Sequence, residues 1–302
     1  MKRAALALLV LVAAALPSTA RADDVAAVSG SLTMTSDLGD PVGQGNSYSL
    51  VMPDASFMTH GDATYYDGNM VRVRAYAAGE WWSLEFQAPT GQTLTAGVTY
   101  ANAIRGVQSS PPPGPLPRMD VFGDGRGCNT VDGSFTVLGA TYGPYGYLQS
   151  FHVTFEQHCD GLVPALHGEL DVVAPPAPTA QSIQLTIDPA GVAARPSGDA
   201  VVHGTIACAL PVTTTVDVTV TQQTKKGPLS AAASVEARCD GPSGSPWSAT
   251  VPSGSKTPFG PGSADVLAAS GAFEDYYSQY LGQNPITVRT SQTATVELRL
   301  PH

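Results

Sequence analysis

The chain has 302 residues, of which only 13% are charged, and its 25 acidic against 15 basic residues give a net charge of −10. That balance, spread along the chain, excludes the electrostatic attraction on which nucleic-acid and anionic-membrane binding rest. A hydrophobic fraction of 43% excludes wholesale disorder, and 31 glycines and 25 prolines among Val-, Thr- and Tyr-rich runs point to short strands and many turns.

The first element in chain order is a predicted signal peptide, residues 1–22. Lys2 and Arg3 form a basic start, Ala4 to Leu16 an apolar run too short to span a bilayer, and Ala20-Arg21-Ala22 a small-x-small cleavage pattern. A mature chain from Asp23 is expected outside the cell or in a periplasm, with no membrane insertion after cleavage. Residues 23–174 are expected to form a first β-domain. In Asn69–Tyr76, Val71, Val73 and Ala75 alternate with Arg72, Arg74 and Tyr76. In Glu80–Gln87, Trp82, Leu84 and Phe86 alternate with Trp81, Ser83, Glu85 and Gln87, the period of half-buried strands. Ser109–Pro117 carries five prolines and reads as a long loop. A hairpin follows: Phe135 and Val137 lie on one strand, Phe151, Val153 and Phe155 on its return, with Gly143-Pro144-Tyr145-Gly146 as the turn.

Residues 175–180 form a Pro/Ala linker of semi-rigid, extended geometry. Residues 181–302 are expected to form a second β-domain. Its strands lie within Ser182–Asp188, Val201–Leu210, Thr214–Thr221, Ser234–Cys239, Trp247–Val251, Ala264–Ala269 and Ile286–Leu300, with Lys225–Pro228 as a turn tip. Ala272–Gly282 reads as a short helix or an irregular excursion.

The four cysteines form two pairs with the same spacing, Cys128 with Cys159 and Cys208 with Cys239, and each second member opens Cys-Asp-Gly. Four cysteines allow three connectivities. Local pairing is favoured because the Pro-rich break separates the pairs, and each bridge is then worth about 3–4 kcal/mol by loop entropy. A zinc site competes weakly, since the chain has no Cys-x-x-Cys.

An ordered series of residues carries a resemblance: Gly204-Thr205-Ile206-Ala207-Cys208, Val218-Thr219-Val220-Thr221-Gln222, Cys239-Asp240-Gly241, Trp247 and Phe259-Gly260-Pro261-Gly262-Ser263-Ala264. This half resembles an uncharacterised family of small exported bacterial β-sandwich domains. The first half resembles another uncharacterised exported bacterial module through Trp82-Ser83-Leu84, Gly125-Arg126-Gly127-Cys128-Asn129, Gly133-Ser134-Phe135-Thr136-Val137 and Phe155-Glu156-Gln157-His158-Cys159. The resemblance implies export and an all-β fold, and carries over no catalytic residue. The expected architecture is two immunoglobulin-like antiparallel β-sandwich domains in tandem.

Candidate chemistry is sparse. If Phe151–Cys159 and Ala165–Val172 pair antiparallel, their outward residues Glu156, His158, His167 and Glu169 share a patch. Two imidazoles and two carboxylates suit Zn²⁺; the competing reading is cross-strand His–Glu pairing on a solvated face. Trp81, Tyr145, Tyr276 and Tyr277 are candidate exposed aromatics for protein or glycan recognition. Asp120, Asp124 and Asp132 lie near glycines and fit calcium or ordinary Asx turns. No nucleophile elbow, His-Glu-x-x-His or P-loop is present. The sequence therefore favours a secreted, non-catalytic binding or structural module, adhesive or envelope-associated. It implies no cofactor, and its expected partner is an extracellular protein or glycan. The alternative is a metal-dependent hydrolase or metal-binding protein using the His/Glu patch.

Overall fold

The computed structural model describes residues 24–62, 70–106, 114–254, 257–282 and 285–301. The expected signal peptide and most of the Pro-rich loop lie outside these residues. The first half forms β1 (Val25–Ala26), β2 (Ser29–Ser36), β3 (Ser47–Val51), β4 (Ser56–Asp62), β5 (Met70–Ala77), β6 (Glu80–Gln87), β7 (Val98–Arg105), β8 (Arg118–Gly123), β9 (Val131–Tyr142), β10 (Leu148–Cys159) and β11 (Ala165–Val173). They make one sheet in the order β1-β4-β5-β6-β8-β7-β9-β10-β11-β2-β3.

The sheet curls. Ala27 donates its N–H to Phe57 O on β4 (2.9 Å), and the next residue, Val28, donates to Val173 O on β11 (2.8 Å). Two consecutive residues thus tie together strands that stand far apart in the sheet order. The enclosed core contains Leu32, Phe57, Val73, Trp82, Leu84, Phe86, Phe135 and Val153. Trp82, Leu84 and Phe86 are fully buried as their period-2 spacing requires, while Trp81 is 38% exposed.

In this half one pairing departs from the antiparallel expectation. β7 and β8 run parallel, pairing Ile104 with Arg118 and Arg105 with Met119. A parallel neighbour needs a crossover of about a dozen residues, and the Pro-rich stretch between Arg105 and Arg118 supplies that length. The parallel contact is brief. Beyond Met119, the inner edge of β8 is braced by a side chain. Gln157 on β10, fully buried, accepts from Val121 N (2.8 Å) and donates to Val121 O (2.9 Å). Its carboxamide completes the hydrogen bonding that a neighbouring strand would have given.

The second half forms β12 (Ile183–Leu185), β13 (Ala190–Ala193), β14 (Ala200–Cys208), β15 (Val212–Thr224), β16 (Gly227–Cys239), β17 (Ser245–Val251), β18 (Gly262–Glu274), the helix α1 (Asp275–Leu281) and β19 (Ile286–Arg299). Its sheet runs β12-β14-β13-β19-β18-β15-β16, with β17 also on β14 and β13 parallel to β19. A second core gathers Ile206, Val218, Trp247, Val266, Val296 and Leu298.

The cysteines form the disulfides Cys128–Cys159 and Cys208–Cys239, with Cα–Cα separations of 5.0 and 6.1 Å. The first closes the base of the β9–β10 hairpin, where Cys159 pairs with Val131. The second joins the ends of β14 and β16, remote in sheet order, and so holds a curl. The shared Cys-Asp-Gly does different jobs. Asp160 (φ 55°) and Gly161 (φ 72°) form a left-handed turn closed by Leu162 N–H on Cys159 O (2.9 Å). The Asp160 carboxylate accepts from Thr130 N (2.7 Å) and Asn129 Nδ2 (3.1 Å), and the Thr130 bond holds it below the usual carboxylate range. Asp240 instead takes Arg238 Nε (2.7 Å) and donates its own N–H to Ser245 Oγ (3.1 Å).

Ala272–Gly282 resolves into the last residues of β18 and α1. Glu274 caps the helix, accepting from Tyr277 N (3.4 Å) and from Gln181 N, and Gly282 ends it at φ 61°. Tyr280 carries the helix into the first half. Its hydroxyl accepts from Gly61 N (2.6 Å) and Leu148 N (3.3 Å), and its ring stacks on His60 at 4.8 Å. Tyr147, Tyr277, Tyr280, Ala174 and Leu281 form a third buried cluster between the halves. The linker is tied in: Tyr147 donates to Pro175 O (3.1 Å) and Tyr277 to Pro178 O (2.6 Å).

Gln157→Leu leaves Val121 N–H and C=O without partners and should cost about 2–4 kcal/mol, read as a lowered denaturant midpoint. Tyr280→Phe should cost about 1–3 kcal/mol and speed hydrogen exchange at Gly61 and Leu148 selectively. Unchanged exchange at those two amides would count against the tyrosine as their acceptor.

Candidate functional site

The His/Glu patch forms in part. In the β10–β11 register Glu156 faces His167 and His158 faces Ala165. Glu156 bridges the two imidazoles, with Oε1 3.0 Å from His158 Nε2 and Oε2 3.5 Å from His167 Nδ1. Glu169 does not join them. It faces Thr154 and turns to His152 Nε2 at 2.7 Å. His158 Nδ1 meets Val163 O at 2.9 Å, so both its nitrogens are engaged. Among the described residues, no three His, Cys, Asp or Glu side chains are arranged to hold a metal ion. The four residues take part in a surface chain of His–carboxylate pairs that also includes His152. One pair lies along β10, Glu156 with His158, and two cross to β11, Glu156 with His167 directly opposite and His152 with Glu169 on the diagonal.

The tyrosines are also redistributed. Tyr277 is fully buried, and Tyr145 lies against it with ring centroids 5.0 Å apart. Burial lifts the Tyr147 and Tyr277 hydroxyls to about 12, which keeps both as donors to the linker carbonyls. Tyr276, 39% exposed, packs edge-on to Tyr277 at 5.1 Å. Tyr277, and the half-buried Tyr145 packed on it, belong to the cluster that joins the halves.

Trp81 stands at a cavity. A cleft of about 390 Å³ lies beside it, lined by Trp81, Glu85, Arg105, Asp120, Phe122 and Arg126. Two neighbouring strands build it. The β6–β8 register sets Glu85 opposite Asp120 and Ser83 opposite Phe122, and period-2 alternation puts Trp81 on that same face. Trp81 and Phe122 meet edge to face, centroids 6.0 Å apart and planes at 86°.

The rim is fixed by a two-residue turn. Asp124 (φ 48°) and Gly125 (φ 74°) are both left-handed, and Gly123 and Arg126 exchange N–H···O bonds of 3.1 and 2.9 Å across them. This is the Asp-Gly reverse turn that tight hairpins favour. The Asp124 carboxylate accepts from Trp81 N (3.1 Å) and Arg126 Nη2 (3.3 Å). The Arg126 guanidinium lies 5.1 Å from the Trp82 ring and 5.7 Å from the Tyr48 ring, and donates to Tyr48 Oη at 2.9 Å. Asp124 thus serves the turn and the arginine beside it.

The floor is electrostatically costly. Arg105 Nε reaches Asp120 Oδ2 at 3.3 Å, but the buried Asp120 Oδ1 has no hydrogen-bond partner among the described residues. An orphaned buried acceptor costs about 1–3 kcal/mol. Burial pushes the Asp120 carboxyl up, against the pull of Arg105. Burial likewise raises Glu85, with Arg72 opposing and Asp120 adding to the rise. Glu85 makes no hydrogen bond or ion pair among the described residues. The cleft therefore offers the Glu85 carboxylate, two guanidinium groups and an aromatic wall.

Sequence reasoning singled out Trp81 and noted Asp120 and Asp124, but missed Glu85, Arg105, Phe122 and Arg126 as one site. The signal was the polar phase of β6, where Trp81 and Glu85 alternate with the core residues. Its partner strand β8 was not read as a strand. Comparison of the chain with protein-family models, curated proteins and solved structures found no match.

The His158 imidazole is raised from 6.5, first by its hydrogen bond to Glu156. A raised folded value makes this contribution complete below the unfolded pKa and lost as pH rises through the folded one. The stability difference between the parent and His158→Gln, from urea melts, should shrink between about pH 5 and about pH 8. A difference that grows over that window would contradict the pairing.

Proposed function

We propose that the chain is a secreted, non-catalytic binding module of two immunoglobulin-like β-sandwich domains, and that the Trp81 cleft meets its extracellular partner. Several observations support this reading. Two disulfides fit an oxidising compartment, where such bridges persist. Each half has its own buried core, and the cores meet through a tyrosine cluster. No helix among the described residues is long and apolar enough to cross a membrane.

The cleft carries the argument. A half-exposed tryptophan beside unspent acceptors and arginines is the composition of recognition sites, where aromatic and Arg anchors dominate affinity. Its backbone is held by a tight turn and a buried carboxamide, so the site is formed before any partner arrives. The His/Glu surface chain, with its imidazoles paired to carboxylates, favours no hydrolytic reading.

The test is a screen of the purified protein against extracellular proteins and glycans, repeated with Trp81→Ala. A partner should be found whose affinity falls by at least about tenfold in the variant, the size of an interface anchor. A partner bound equally well by Trp81→Ala would move the site elsewhere on the molecule.

A further inference from the structure

Resting on the assignment of the Trp81 cleft as the binding site, we infer that its ligand is a neutral, hydroxyl-rich sugar unit of a glycan.

The charges in the cleft are mixed at short range. Glu85 and Asp120 are register partners on β6 and β8, Arg105 pairs with Asp120, and Arg126 stands at the rim beside Asp124. A cationic ligand would meet two guanidinium groups. An anionic one would meet two carboxylates in a site that already holds their charge at a cost. A hydroxyl both donates and accepts, so a polyol satisfies both kinds of group with one functional class.

The unsatisfied groups point the same way. Among the described residues Glu85 lines the cleft without a hydrogen bond, and the buried Asp120 Oδ1 has no partner. Glu85 is the acceptor that an entering O–H donor can reach, while Asp120 Oδ1 lies buried behind the lining. Arg105, held at only one nitrogen by Asp120 and through another by Asn129 O (3.3 Å), has N–H groups left to donate to ring or hydroxyl oxygens. Sites that hydrogen-bond hydroxyls reject analogues lacking them, because their buried polar groups are then left unpaired.

The aromatic wall supplies the remaining element. Trp81 is 38% exposed, and its edge contact with Phe122 fixes its plane. An indole face is electron-rich, and it suits the C–H face that a pyranose presents opposite its hydroxyls. The cavity, about 390 Å³, lies near the small end of the ~300–1,000 Å³ of ligand clefts and fits a short glycan segment.

The experiment uses the full chain with immobilised neutral, amino and sulfated or uronic oligosaccharides, beside a panel of extracellular proteins, for the parent, Glu85→Gln and Trp81→Ala. Thermal melts confirm that each variant folds, and Trp81→Phe serves as the conservative control. Neutral glycans should bind preferentially. Glu85→Gln should weaken them by about tenfold, the loss of one charge-assisted hydrogen bond, and Trp81→Phe should retain most of the affinity that Trp81→Ala loses. Preference for amino or acidic glycans, or indifference to Glu85→Gln, would overturn the sugar assignment. Binding of a protein but of no glycan, lost in Trp81→Ala, would overturn it while leaving the cleft as the site. Binding that ignores Trp81→Ala altogether would remove the cleft and the sugar together.

Discussion

The constraint on which this fold rests is that a strongly curled sheet runs out of neighbours before it runs out of backbone to satisfy. A buried peptide N–H or C=O without a partner is costly, and curling pulls strands apart where their paths diverge. The chain meets this three times with one device. Gln157 brackets Val121, accepting from its N–H and donating to its C=O. Gln222 does the same for Gly260, at 2.9 and 2.8 Å. Gln181 does it for Leu210, at 3.0 Å on each side. All three are buried. A primary carboxamide carries one carbonyl and one amino group, the donor and acceptor of a peptide, on a stem long enough to reach from an adjacent strand. A carboxylate would supply only acceptors and leave the carbonyl bare.

The consequences run outward to the cleft. Gln157 fixes β8 at Val121, and the residues flanking Val121 are Asp120 and Phe122, two walls of the site. The same glutamine donates to Cys128 Sγ at 3.4 Å, next to the loop that carries Arg126. Core, disulfide and cleft are therefore one mechanical unit in the first half. The Asp124-Gly125 turn adds the last coordinate by holding the Trp81 amide. The site is built on strands and a tight turn, which hold geometry better than a long loop.

Much of this was legible in the alternation of residues. Trp82, Leu84 and Phe86 announce the core face of β6, and the Gly-Pro-Tyr-Gly turn announces the β9–β10 hairpin. The pairing of Glu156 with His167 followed from face matching alone. The fate of Glu169 did not, because a side chain on a sheet surface chooses among directly opposite and diagonal neighbours at similar distance. The parallel β7–β8 pair was hidden, since a long connection permits either direction. The structural glutamines were visible in hindsight: Gln157 and Gln222 fall on the inward phase of otherwise apolar strands, following Phe151, Val153 and Phe155 in one case and Val216, Val218 and Val220 in the other. A polar residue in core phase announces an unsatisfied partner nearby, but only the fold tells which. Tyr277, read as exposed and found fully buried, differs for a related reason. Aromatic character does not distinguish a surface for a ligand from a surface for the other half of the same chain.

The latch between the halves has an asymmetric genetic footprint. Tyr280 directs its hydroxyl at the peptide groups of Gly61 and Leu148, and Tyr277 and Tyr147 direct theirs at carbonyls of the linker. Main-chain carbonyls are present whatever side chain they bear, and main-chain N–H groups in every residue but proline. The polar half of the docking code is thus written almost entirely in tyrosine codons, and its receiving surface is immune to most point mutations. The exception is Gly61, where an added Cβ would come within 2.5 Å of Gly146 O. Drift in the receiving strands can alter the rest of that surface while the two halves keep their grip.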